Sequence, residues 1–144
     1  MNKFKKAAGM VEERFGHDTL LSLATIDAGR PAVRTVNSYY EDGAFYAVTY
    51  AKSNKMRQIE ANADVAVCGE WFTAHGTGEN RGHVRDETNV EIMSKLRTVF
   101  AEWYDNGHVD ETDTNTCLLC IRLIDGVLFD HGIRYDINFL TKQA

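Results

Sequence analysis

Apolar and polar positions change their spacing several times along this chain, and each change marks an element. Phe4, Ala8, Val11 and Phe15 recur at the spacing of one helical face, with lysines and glutamates on the other. Gly16 stands where a helix would end. Residues 20–26 (LLSLATI) read as a strand, and Asp27, Ala28, Gly29 and Arg30 supply a turn. Residues 32–40 alternate β-branched or aromatic residues with polar ones, a second strand. Asp42 and Gly43 form a hairpin signal, and residues 44–49 follow as a third strand.

The period then breaks at a polar loop, Lys52, Ser53, Asn54 and Lys55. It restarts as a short helix carrying Met56 and Ile59 and ending near Asn62. Residues 65–71 read as a strand, and residues 73–84 as a polar strand or hairpin. Gly76, Gly78 and Gly82 in it predict a bulge or a close approach by a neighbour. Thr88 to Glu91 has the form of a capping box, ahead of a buried stripe of Met93, Leu96, Phe100 and Trp103. Residues 106–116 are a polar loop. Residues 117–123 and 126–130 read as two strands joined at Asp125 and Gly126, and residues 133–140 fit neither period.

That order gives six or seven strands, mostly joined as hairpins, with helices between some of them. It predicts a mainly β chain with helices (α+β) whose antiparallel sheet is closed, or nearly closed, into a barrel. A parallel doubly wound sheet would need a helix after almost every strand.

Composition narrows the function classes. The chain has 144 residues, enough for one domain spanning 1–144, and its 44% apolar and 26% charged residues suit a water-soluble globule. No apolar run is long enough to cross a bilayer. Glu12, Glu13 and Arg14 interrupt what would be the apolar core of a signal peptide. The net charge of −5 argues against a general nucleic-acid binder, which needs a basic face. Three cysteines are too few for a disulfide scaffold and point to the reducing cytoplasm.

The polar loop is the best candidate for chemistry. Ser53 sits at a helix N-cap, Lys55 falls in the first turn, and Thr49 ends the strand before it. Hydroxyls, an ammonium and free backbone N–H groups at a helix start are suited to a phosphate. Read alone, the loop is better explained by a helix cap beside a solvated lysine. The second strand adds Arg34, Thr35, Val36 and Asn37, just before the hairpin, with Arg34 at the same end of the sheet as Thr49. A flat heteroaromatic ring lying along that strand would bond its polar edge to backbone groups.

Arg34-x-Val36, then Thr49, then Ser53-Asn54-Lys55, resembles the pyridoxamine 5′-phosphate oxidase-like flavoproteins, and most closely their short, general stress protein-like members. The resemblance runs from about Leu20 to Glu79. It implies a six-stranded antiparallel split β-barrel that binds FMN at a homodimer interface. By that implication Arg34, Thr35, Val36 and Asn37 line the ring or ribityl chain, and Thr49, Ser53, Asn54 and Lys55 hold the phosphate. Trp71 or His75 would reach the partner's flavin. Asn54 stands where the family often has Arg, so Lys52 or Arg57 would have to compensate. The C-terminal Trp and Arg segment that closes on substrate in the full-length oxidases has no evident copy. The expected function is therefore an FMN-dependent oxidoreductase of unknown substrate, or else a non-catalytic flavin-binding or stress protein, or a split barrel for haem or a deazaflavin. No catalytic residue stands out.

Other motifs are weaker. Gly76-Thr77-Gly78-Glu79-Asn80-Arg81 lacks the last glycine of a dinucleotide fingerprint, and no helix follows it. Cys117 and Cys120 lie three apart on a strand, hence on opposite faces, and read as core residues. The five histidines lack clustered Cys or Asp partners for a metal. Asp110, Glu111 and Asp113 do not fit a calcium loop.

Overall fold

The structure, a computed structural model, describes residues 2–144. Its elements in order are α1 (Lys3–Phe15), β1 (Thr19–Asp27), β2 (Arg30–Glu41), β3 (Ala44–Tyr50), α2 (Asn54–Ala61), β4 (Asp64–Gly69), β5 (Phe72–His83), α3 (Val90–Val99), β6 (Thr116–Asp130) and β7 (Ile133–Asn138). The strands form one antiparallel sheet in the order β3-β2-β1-β4-β5-β6-β7. Pairing of β3 with β6 closes the first six into a barrel, and β7 extends the far half of β6. This is the expected six-stranded antiparallel barrel.

Local chemistry sets the turns. Ala28 and Gly29, and again Asp42 and Gly43, take positive φ, the conformation that lets a two-residue hairpin follow the twist of its strands. Asn2 caps α1 by accepting from the Lys5 N–H, and Gly16 ends it by donating to Glu12 O. The helix puts Ala7, Val11 and Phe15 into the barrel core. There Phe15 meets Phe45 edge-on at 5.7 Å and Phe72 at 5.4 Å. Truncating such a ring typically costs about 3–5 kcal/mol. Farther along β5, Gly78 has no side chain, and Ile59 of α2 fills that space; an added Cβ would lie 3.0 Å from it.

β6 is buried on both faces through its first half. Cys117, Leu119, Ile121 and Leu123 point into the barrel, whereas Leu118 packs outward against Met93, Leu96 and Phe100 of the α3 segment. Cys120 is buried away from the inner cluster, so the two cysteines lie on opposite faces.

Four local expectations are corrected. Residues 117–130 are one strand, not two: Gly126 marks a close approach, with an added Cβ 2.9 Å from Thr73 O, and the sheet absorbs the irregularity as a register shift opposite His75 and Gly76. The fourth strand stops at Gly69, and Trp71 falls in the turn with φ +53. The capping box does not form. Asp86 instead accepts from both the N–H and the hydroxyl of Thr88, starting a short 3-10 turn before α3. The helix also ends at Val99, so Trp103 lies beyond it. Residues 133–138, unassigned by period, form β7.

Candidate functional site

β2 pairs with the whole length of β1, from Asp27↔Arg30 to Thr19↔Ser38. With β3 it pairs only at Tyr39↔Tyr46, Tyr40↔Phe45 and Glu41↔Ala44. β3 then stays with β6 as far as Tyr50↔Thr116. The barrel is therefore split, and before Tyr39 the β3-facing edge of β2 has no strand partner. Backbone N–H and C=O groups left on such an edge are available to a ligand.

The split opens a cleft of about 440 Å³. Thr35, Val36 and Asn37 line one wall, Ala47, Val48 and Thr49 the other, Lys55 one end, and Trp103, His108 and Val109 complete it. Five of the predicted residues thus meet in one cavity: Thr35, Val36, Asn37, Thr49 and Lys55. Ser53 and Asn54 stand beside it at the start of α2. The Ser53 hydroxyl accepts from the Met56 N–H at 3.4 Å, the N-cap that its position predicts.

Arg34 takes a different route to the same end. It lies on the inward face of β2 and donates to Leu23 O at 3.3 Å, Thr25 Oγ1 at 2.7 Å and Gln58 Oε1 at 2.7 Å. Thr25 is fully buried and also donates to Gln58 Oε1 at 2.6 Å. All three acceptors of Arg34 are neutral. Burial lowers its affinity for a proton, as it does for Lys55, where the nearby Arg34 charge adds to the effect. Among the described residues Lys55 has no hydrogen bond and no carboxylate partner. Two partly buried cations therefore adjoin a helix N-terminus without a counter-ion, an arrangement that favours an anion. The second charge acting on Lys55 comes from Arg34, not from Lys52 or Arg57, which are exposed.

Trp71 and His75 do not join this cluster within the chain. Trp71 is 71% exposed at the β4–β5 turn, against Phe129. His75 is exposed on the outer sheet face, its Nδ1 2.8 Å from Asp125 Oδ1. Cys117 lies near Lys55, its thiol pushed up to about 11 by burial, which leaves it protonated and inert.

The family model for pyridoxamine 5′-phosphate oxidase matches residues 9–125. The chain belongs to that family. Solved structures share its fold. A FAD-binding protein from Mesorhizobium loti is 17% identical with a TM-score of 0.62, over 83% of this chain and 91% of that one. General Stress Protein 26 from Bacillus anthracis is 20% identical with a TM-score of 0.61, over 88% and 92%. The haem storage protein of Vibrio cholerae is 17% identical with a TM-score of 0.62, over 85% and 91%. No curated protein sequence matches significantly. Among the described residues no helix is long and apolar enough to cross a membrane.

Several cleft-lining residues carry no signal in the sequence: Trp103 falls in the predicted buried helical stripe, and His108 and Val109 in the predicted polar loop. Asp18 was not singled out, yet its carboxylate accepts from Trp103 Nε1 at 2.8 Å and from Asn37 Nδ2 at 3.3 Å. Gln58 and Thr25, which aim Arg34, carried no signal, since their roles depend on contacts across the barrel.

Proposed function

We propose that this member of the pyridoxamine 5′-phosphate oxidase family binds FMN in the split between β2 and β3 and uses it as an oxidoreductase. The observation that carries the reading is the half-buried, uncompensated Lys55 ammonium at the α2 N-terminus, beside Arg34 and at the end of an open strand edge. The phosphate would take Lys55, the Thr49 and Ser53 hydroxyls and the α2 N–H groups, Asn54 among them. The flat ring would lie along Thr35, Val36 and Asn37, its polar edge on the free β2 backbone. Arg34 would add its charge from the inner side. When bound, the flavin supplies the electron transfer, and the protein positions and tunes it.

We further propose a homodimer. The outer sheet face carries small or apolar side chains, Ala24, Ala66, Thr73 and Val33, the last 72% exposed. A second copy against that face would give Trp71 and His75, idle in their own chain, a flavin to reach. The three free thiols fit a cytoplasmic protein, which cell fractionation tests.

The isolated protein's visible spectrum and an FMN titration test the cofactor. A flavin spectrum, or uptake of FMN with quenched flavin fluorescence, supports it; a colourless protein that ignores FMN overturns it. Gel filtration at twice the 16.2 kDa chain mass supports the dimer, and a clean monomer removes it. Reduction of the bound flavin by NADH or NADPH, with turnover on an acceptor, separates an enzyme from a flavin-storage protein.

A second reading has one observation behind it. Asp125 holds His75 through Nδ1 and leaves Nε2 free, the way a carboxylate orients a metal-ligating histidine. Haem on His75 would show a Soret band that shifts in His75→Ala, and no flavin spectrum.

A further inference from the structure

The connection between α3 and β6 does more than link them. Trp103 is held rigidly. Asp18 fixes its indole N–H, and Phe100 covers it at 4.8 Å with rings only 32° apart. The same Asp18 also holds Asn37 on β2, so one carboxylate ties two cleft-lining side chains from different elements. Beyond Trp103 the chain reverses at Gly107, whose φ of +99 suits glycine and few other residues. That reversal sets His108 at the cleft, its ring edge-on to Trp103 at 6.2 Å. His108 lines both this cleft and an adjoining one of about 380 Å³ that shares Val48, Thr49 and Val109.

Nothing in the fold requires His108 there. It is exposed and makes no hydrogen bond among the described residues. The segment after it is nevertheless anchored firmly: Glu111 takes Arg97 through two bonds, Arg85 through one and the Tyr104 hydroxyl at 2.6 Å. An ion network on the partly buried Glu111 thus holds a loop whose tip carries an unpartnered imidazole beside a pinned indole.

We propose that residues 103–109 form the ring-facing wall of the cleft, with Trp103 as a fixed aromatic contact and His108 as a hydrogen-bond partner for the polar edge of a flat, phosphate-bearing heteroaromatic ring. This rests on the flavin reading above and adds to it the cleft-lining groups that the α3–β6 connection contributes. The lining gives the class of ligand. An indole edge and the apolar Val36, Val48 and Val109 suit a planar ring, while Lys55 at the far end suits its phosphate. No carboxylate lines this cleft directly; Asp18 stands behind it, its oxygens taken up by the Trp103 and Asn37 N–H groups.

The chain has two tryptophans, which makes the test direct. In Trp71→Phe, Trp103 is the only indole, and FMN should quench its emission with the Kd read from the flavin's own fluorescence. Trp103→Leu should weaken FMN binding about tenfold. His108→Ala should weaken it about fivefold and His108→Asn should restore part of that, because the amide keeps a hydrogen-bonding group. His131→Ala, at an exposed turn outside the cleft, should bind as the parent does. If the parent binds FMN but Trp103 emission does not change and both His108 variants bind normally, the wall is elsewhere and the flavin reading stands. Should Trp103→Leu fold poorly, the quenching experiment decides alone. If the parent binds no FMN, both proposals fall together.

Discussion

Two clusters of cations in this protein are treated in opposite ways. Around Glu111, Arg97 and Arg85 share one carboxylate: it takes bonds from both, and the Tyr104 hydroxyl adds a third donor. The bond from Arg97 is the main cause that holds the Glu111 carboxyl at about 2, while the same bond raises Arg97. Burial, with the Glu111 charge beside it, pushes Tyr104 up. Around Lys55, two cations meet only neutral acceptors, and burial lowers both. The first cluster is complete without a ligand. The second bears a cost in the empty protein that an anion would relieve. The ions around Glu111 are paired within the chain; Lys55 and Arg34 are left without a carboxylate.

The sharpest way to break that contrast is Lys55→Met. It should lower FMN affinity about a hundredfold, the size of a lost charge-assisted contact, read by flavin fluorescence titration. It should also raise the melting temperature of the ligand-free protein, because a desolvated charge is gone; a gain of about 0.5–1 kcal/mol is expected. Equal FMN affinity, or a marked loss of stability, would mean that Lys55 has a structural partner.

Glu111→Gln should act the other way. It removes the charge that two largely exposed arginines share and should cost about 1 kcal/mol in urea unfolding. FMN affinity should change less, and only through the loop that carries His108. If Glu111→Gln left stability unaltered, the network would not be holding the loop.

The pH dependence separates the clusters further. Glu111 has a folded value of about 2 against an ordinary 4.5, so its contribution is fully present above pH 4.5 and is lost as pH falls toward about 2. Acid unfolding of the parent should therefore be steeper over that range than in Glu111→Gln. Lys55 shifts the opposite way for a base: its folded value is lowered, so the folded state sheds this proton first. Ligand-free stability gains from Lys55 as pH rises toward 10.5, while FMN affinity declines over the same range. A Lys55→Arg variant should flatten the affinity profile.

How far the sequence carries depends on how local each cause is. The hairpins were legible because Asp42 and Gly43, and Ala28 and Gly29, adopt their turn dihedrals from their own chemistry. The start of α2 was legible for the same reason: Ser53 caps the helix and Lys55 follows in the first turn. The split was beyond a periodicity reading, because β2 and β3 separate only when β6 keeps β3 and not β2. Period and composition cannot say which of two neighbours a strand will follow. Trp103 shows the same limit from the other side. Its spacing after Phe100 is helical, yet the helix ends at Val99 and Asp18, far away in sequence, claims the indole. Asp86 overrode the capping box by reaching Thr88 first.

Gln58 offers the smallest test and the most pointed one. Its Oε1 accepts from Arg34 at 2.7 Å and from Thr25 at 2.6 Å, so it aims the guanidinium without neutralising it. Gln58→Glu preserves shape and both acceptor contacts and adds one negative charge beside Arg34. It should convert the open cluster into one like that around Glu111. The ligand-free protein should gain about 0.5–1 kcal/mol, since a charged acceptor strengthens the Arg34 bond. FMN affinity should fall about tenfold, because the new carboxylate both occupies Arg34 and repels the phosphate. Added salt should recover part of that loss by screening the repulsion. Stability and affinity must therefore move in opposite directions in this one variant. Were both to fall, Gln58 would be serving the packing of α2 alone, and Arg34 would have no part in balancing the anion.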